Sequence, residues 1–151
     1  THLQMGDTEK AEAAYREAMR LDPKDPHYVR GTVLLLLGTG RAEEAATLAE
    51  DALGRFPGDP KVQLAAGDAF VAAAYKAGDA EKTKAGIDSA LAAYEEALVI
   101  VPNMPPASNN VALLLADHVA EDPAQMPDVV AQRFVACFPR RLFLHVRVSC
   151  T

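Results

Sequence analysis

The chain has no tryptophan, only two cysteines and no long apolar run, and each lack removes a class of protein. Cys137 and Cys150 are too few and too oddly placed to set a disulfide framework or a metal site, and they leave the redox compartment open. The longest notable apolar run, residues 33–37, is far short of the ~20 residues that a membrane span needs. It reads as a buried helix face. Residues 1–20 lack a charged start followed by an apolar stretch, so no signal peptide is expected. Basic residues are outnumbered, 15 Lys and Arg against 21 Asp and Glu, for a net charge of −6. Neutralising phosphates needs a basic surface, so nucleic acid is not an expected partner. A phosphate loop is missing too. Gly38-Thr39-Gly40 has no further glycine at dinucleotide spacing and no Gly-Lys-Ser/Thr after it, and it reads as a turn between helices.

What is present is alanine, and it repeats. The 151 residues are half hydrophobic, enough for one domain with a sizeable core. Ala11, Ala18 and Pro23 recur as Ala45, Ala52 and Pro57, and Gly6 recurs as Gly40, each 34 residues on. Such a period marks a solenoid of helical hairpins, because one hairpin cannot bury its apolar face alone. Ala11, Ala14, Tyr15, Ala18, Met19 and Leu21 fall at three- and four-residue steps, on one side of a helix. Gly6 and Gly40 are placed where one helix ends and the next begins, with Asp7 and Thr8 as caps. "LDPKDP" and "FPGDP" break the chain, since proline cannot continue a helix. Small Ala18 and Ala52 let helices approach closely, and Tyr15 fills the gap beside them.

With these residues the chain resembles a tetratricopeptide repeat (TPR) protein. Thr8–Leu21 matches helix B of a first unit, Asp25–Pro57 a complete second unit, and Asp59–Pro102 a third, in which Ala90, Tyr94, Ala97 and Pro102 match Ala11, Tyr15, Ala18 and Pro23. Residues 106–119, with "NNVALLLAD", match helix A of a fourth. The resemblance implies an all-α superhelix over residues 1–122 and a degenerate helix and irregular tail over 123–151. The expected helices are 8–21, 26–38, 42–54, 60–77, 80–101 and 106–119. Ala11, Tyr15, Ala18, Ala45, Ala52, Tyr94 and Ala97 are expected to be buried at helix contacts. Tyr28 and Tyr75 are expected in the core.

Two departures carry information. Pro57 to Pro102 spans 45 residues, an excess of 11 over the period. "GDAEK" (78–82) mirrors "GDTEK" (6–10) at an offset of 72, two periods plus four, which puts four extra residues in helix A and seven in helix B. Those are about one and two helical turns, so both helices keep their buried faces nearly in phase. An elongated third hairpin is expected; a plain loop of the same length is the alternative. The second departure is the tail. Residues 1–128 carry a net charge of −10, whereas 129–151 hold four arginines and no acid. "LFLHVRVSC" alternates as a strand would, with Leu142, Leu144, Val146 and Val148 on one face. A truncated or aberrant end is the preferred account, and a basic partner-binding tail the alternative. The chain opens inside a repeat, so it is expected to be a piece of a longer, bacterial-type TPR protein.

No catalytic, cofactor or metal site is expected. Asp117, His118, Glu121 and Asp122 are metal-type ligands but lack the two-histidine face of a zinc helix, and a solvated helix end is the plainer reading. Ser89 and Ser108 have no base to pair with. The resemblance instead implies a peptide groove lined by the A helices. Its positions fall on His27, Arg30, Leu34 and Leu37 in the second unit, on Lys61, Leu64, Asp68 and Val71 in the third, and on Pro106, Asn109, Leu113 and Ala116 in the fourth. Leu34, Leu37 and Leu113 could equally be core. The implied role is a protein-interaction module that binds a protein or peptide segment. The alternative is an accessory segment of a larger enzyme or envelope export or assembly factor, stacked on further repeats. A soluble protein of the cytoplasm or periplasm is expected. A ligand held by its terminal carboxylate is disfavoured, because Arg30, Lys61 and Asn109 only partly match the cations and amides that such grooves carry.

Overall fold

The computed structural model describes residues 2–121, with side chains for residues 6–117. Six helices follow one another: α1 (His2–Leu21), α2 (Pro26–Gly38), α3 (Ala42–Arg55), α4 (Pro60–Lys76), α5 (Ala80–Ile100) and α6 (Pro105–Glu121). No strand occurs among the described residues. The chain forms two compact units, Thr1–Val111 and Ala112–Thr151. The second is described only through Glu121, so the basic tail, the alternating residues 142–148 and both cysteines lie outside the described residues.

Local chemistry sets the helix ends. Asp25 and Asp59 sit in extended backbone and accept from the N–H groups of His27 (2.8 Å) and of Lys61 and Val62 (2.8 and 2.9 Å). Each is followed by a proline, whose missing N–H costs nothing in the first turn. Asp79 caps α5 through the N–H of Lys82 at 2.9 Å. Gly40 and Gly78 turn each A helix into its B helix with φ of 76° and 65°, the left-handed region where a side chain is strained. Gly6 is different. It lies within the unbroken α1, so the expected turn and the Asp7 and Thr8 caps are not there. One glycine costs a helix only about 1 kcal/mol, which a long helical run overrides.

Consecutive helices pack against each other from α1 to α5, and α2 also packs on α4. The hairpins therefore stack with their A helices side by side. α4 has 17 residues to the 13 of α2, and α5 has 21 to the 14 of α3. The third hairpin is thus longer by four residues in its A helix and seven in its B helix, as the spacing implies. The added turns are packed rather than loose. Ala74 is buried, and a Cβ built at Gly86 would lie 2.7 Å from the Ala74 Cβ.

Small residues let the helices approach. Ala45, Ala49 and Ala52 on α3, and Ala90, Ala93 and Ala97 on α5, are all buried. Val29, Ala52 and Val62 form a core cluster across α2, α3 and α4, with Met19, Leu48, Leu53 and Phe56 packed around it. Equivalent positions trade size between hairpins. Where the third hairpin sets Tyr94 over Gly67, the second has Ala49 and Val33, one period earlier on the A helix. All four are buried, and in the third hairpin the large residue on one helix is met by a bare glycine on the other.

Backbone carbonyls of the connecting loops are tied to neighbouring helices. Arg55 Nη2 donates to Pro23 O (2.6 Å), Gln63 Nε2 to Pro57 O (3.0 Å) and Lys76 Nζ to Gly40 O (2.9 Å). Lys76 is the last residue of the elongated α4, and it reaches the turn of the preceding hairpin.

Four expectations need correcting. Gly6 is one, as described. Ala11, Tyr15 and Ala18 are only half-buried, although Tyr15 lies over Gly31, because α1 has α2 as its main neighbour while inner helices are covered by two or more. Ala14 and Leu21 are exposed, so the apolar stripe of α1 is narrower than its sequence suggests. Tyr75 is 59% exposed, and Tyr28 is half-buried. Ala45, Ala52, Tyr94 and Ala97 lie at helix contacts as expected.

The Tyr94–Gly67 contact leaves no room for a methyl group, since a Cβ at Gly67 would lie 2.6 Å from Tyr94 Cζ. Gly67→Ala should lower stability by about 1–3 kcal/mol through overpacking, despite the better helix propensity of alanine. Gly54, helical with open space around it, should gain up to about 1 kcal/mol from the same change. Urea denaturation of the two variants measures both; a Gly67→Ala midpoint at or above wild type would contradict the contact.

Candidate peptide-binding face

The α2–α4 contact sets two rows of side chains next to each other. The N-terminal ends of the two helices enclose a shallow cleft of about 160 Å³, lined by Asp25, Pro26, His27, Arg30, Asp59 and Lys61. Three of the expected groove residues, His27, Arg30 and Lys61, therefore meet there. Asp25 and Asp59 are engaged as helix caps. Arg30 Nη2 lies 3.1 Å from His27 Nδ1. Guanidinium is only a donor, so Nδ1 is the acceptor of this contact. Arg16, Arg20, Arg41 and Arg55 are all in ion pairs. Arg30 and Lys61 have no carboxylate partner among the described residues, so their charges face solvent on this side.

Further along, the apolar run at 33–37 divides between two sides of α2. Val33 and Leu36 are in the core at 1% exposure, Leu35 and Leu37 are half-buried, and Leu34 is 47% exposed. On α4, Leu64 and Val71 are half-buried. Asn109 is exposed. Leu113, in the second unit, is 66% exposed and not core.

Asp68 is the polar centre of the α4 row. Its Oδ1 accepts the Tyr94 hydroxyl at 2.6 Å and the Asn110 amide at 3.0 Å, which joins α4, α5 and the first part of α6. Burial holds the Asp68 carboxyl above the ordinary value of 3.8, partly offset by the Tyr94 hydrogen bond. The Tyr94 hydroxyl is pushed far above its ordinary 10, by burial first and then by the carboxylate it donates to. Sequence reasoning placed Tyr94 in packing alone and chose Asn109 rather than Asn110. The available signal was chemical: a buried tyrosine hydroxyl requires an acceptor, and Asp68 follows directly on Gly67, the glycine that the Tyr94 ring covers.

Among the described residues no three His, Cys, Asp or Glu are grouped to hold a metal ion. Of the Asp117, His118, Glu121 and Asp122 set, only the Asp117 side chain is described. Ser89 Oγ donates to Ala85 O at 3.0 Å, a bond within its own helix. No helix among the described residues is long and apolar enough to cross a membrane.

A carboxyl whose folded pKa lies above its unfolded one is stabilised by protonation. Its contribution to stability is complete below 3.8 and is lost as pH rises through the raised folded value. Asp68→Asn keeps an acceptor for Tyr94 and Asn110 and never charges. It should melt no lower than wild type at pH 7, with any advantage closing as the pH falls toward 3.8. Thermal melts across that range test this; a variant several degrees less stable at pH 7 would show that the charge itself holds the network.

Residues 1–60 match the tetratricopeptide repeat family. No curated protein sequence matches the chain. Among solved structures, a thermophilic TPR protein of Thermus thermophilus superposes with a TM-score of 0.67 at 22% identity, covering 81% of this chain and 63% of that one. The chain thus spans less than two thirds of that relative. The type III secretion translocator chaperone SycD of Yersinia enterocolitica superposes with a TM-score of 0.59 at 15% identity, covering 77% of this chain and 85% of that one. Residues 1–60 thus match the tetratricopeptide repeat family, and the helical-hairpin architecture that the chain shares with these solved structures carries on through α4 and α5.

Proposed function

We propose that the chain is a non-catalytic protein-interaction module that binds an extended or helical segment of a partner along the α2–α4 face. In this reading α1 is helix B of a first unit, α2–α3 and α4–α5 are complete units, and α6 is helix A of a fourth. One observation carries the reading. Two cations without carboxylate partners among the described residues, Arg30 and Lys61, share a face with the exposed Leu34 and the half-buried Leu64. A face of that kind suits a segment with an apolar anchor between polar groups. The fold serves a protein-handling role in one structural neighbour, the secretion chaperone. The half-open Ala11, Tyr15 and Ala18 favour a second reading, in which α1 receives a further repeat and the chain is a segment of a larger assembly.

A partner recovered by pull-down and titrated against single variants tests the reading. Leu34→Ala should weaken binding about tenfold or more, as loss of an apolar anchor does. Arg30→Ala and Lys61→Ala should cost less, a few-fold each, because exposed charges are screened by water and salt. Glu50→Ala, exposed on α3, should leave affinity unchanged. Equal losses from Glu50→Ala and Leu34→Ala would place binding elsewhere.

A further inference from the structure

The geometry points to Asp68 as the specificity-determining acceptor of this face: we propose that its carboxylate takes a lysine or arginine side chain of the bound partner segment. The proposal rests on reading the α2–α4 face as a peptide site. Both hydrogen bonds to Asp68, from Tyr94 and Asn110, fall on Oδ1. Oδ2 has no hydrogen-bond or ion-pair partner among the described residues. No buried side-chain nitrogen or oxygen is left unpaired among them either, so Oδ2 is not buried and opens to the surface. Tyr94 is fixed, at 2% exposure, and together the two donors hold the carboxyl in one orientation.

Neither donor is charged. Asp68 is therefore a half-buried carboxylate with no cation beside it among the described residues. A charge-assisted hydrogen bond is about twice as strong as a neutral one, and partial burial strengthens it further. The rest of the face has the opposite sign. Lys61 stands seven residues before Asp68 on α4, about 10 Å along the axis at 1.5 Å per residue. Arg30 lines the same cleft as Lys61. The face carries opposite charge at its two ends: donors and cations at the N-terminal ends of α2 and α4, and an anionic acceptor in the middle of α4. A partner segment fits with its basic residue at Asp68 and an acidic or carbonyl group about three extended residues away. A terminal carboxylate at Asp68 would meet like charge.

The test is a phage-displayed library of random dodecapeptides, tethered so that no free carboxylate ends them, panned on wild type and on Asp68→Asn. Asparagine keeps an oxygen for Tyr94 and Asn110 and removes only the charge, and circular dichroism checks that the fold is intact. The wild-type pool should carry Lys or Arg at one fixed position. Those peptides, synthesised, should bind Asp68→Asn about tenfold more weakly, with the difference shrinking as salt is added. If both proteins bind the same peptides equally while Leu34→Ala weakens them, the face binds peptides and the assignment of Asp68 is overturned. If no peptide is selected, or binding is insensitive to Leu34→Ala, Arg30→Ala and Asp68→Asn alike, the face reading fails and the proposal with it.

Discussion

Everything in this fold depends on how closely one helix can approach the next, and that is set by side-chain size at a few positions. The Tyr94 ring lies against the bare backbone of Gly67, and its hydroxyl meets Asp68 one residue further on. Packing and polarity are thereby joined in one residue: the ring fixes the spacing of α4 and α5, and the hydroxyl fixes the carboxyl. The preceding hairpin has buried Val33 and Ala49 at the equivalent positions of its A and B helices. A stack built from such contacts grows by repetition, each hairpin burying the face its neighbour leaves open.

The repeat was legible because its causes are local and periodic. Proline and aspartate at 25–26 and 59–60 start A helices, glycine at 40 and 78 turns them, and alanine at fixed steps marks the contact faces. Even the partition of the 11 extra residues could be read, because a helix accepts whole turns without moving its buried face off the core. What stayed hidden depends on neighbours that periodicity does not name. Gly6 has the sequence surroundings of Gly40 yet continues a helix, since a turn there needs tertiary contacts as well as a glycine. Ala18 and Ala52 occupy equivalent positions, but only the second lies between several helices. The Asp68 network joins residues 26 and 42 positions apart, and no short-range spacing points to it.

The proposed face can be read from the sequence as positions on A helices, but not as chemistry. Repeat geometry places His27, Arg30 and Lys61 on A helices. Their convergence at one cleft, and the lack of carboxylate partners for two of them among the described residues, come only from the structure. The same holds for the leucines. Val33 and Leu34 are adjacent in sequence and equally apolar, and the pitch of α2 sends one to the core and the other to solvent. The result is a surface with an apolar middle, cations at one end and an acceptor further along. It differs from a groove that clamps a terminal carboxylate, because the central side chain of α4 is itself an acid.

The central claim is that partners bind where the A helices lie side by side. Amide chemical-shift mapping of the labelled chain with a bound partner segment tests it directly. The account predicts shifts concentrated at residues 27–37 and 61–71 and at Asn110, with little change on the exposed side of α3 around residues 43–50. Shifts confined to α3 and α5, with α2 and α4 silent, would contradict it.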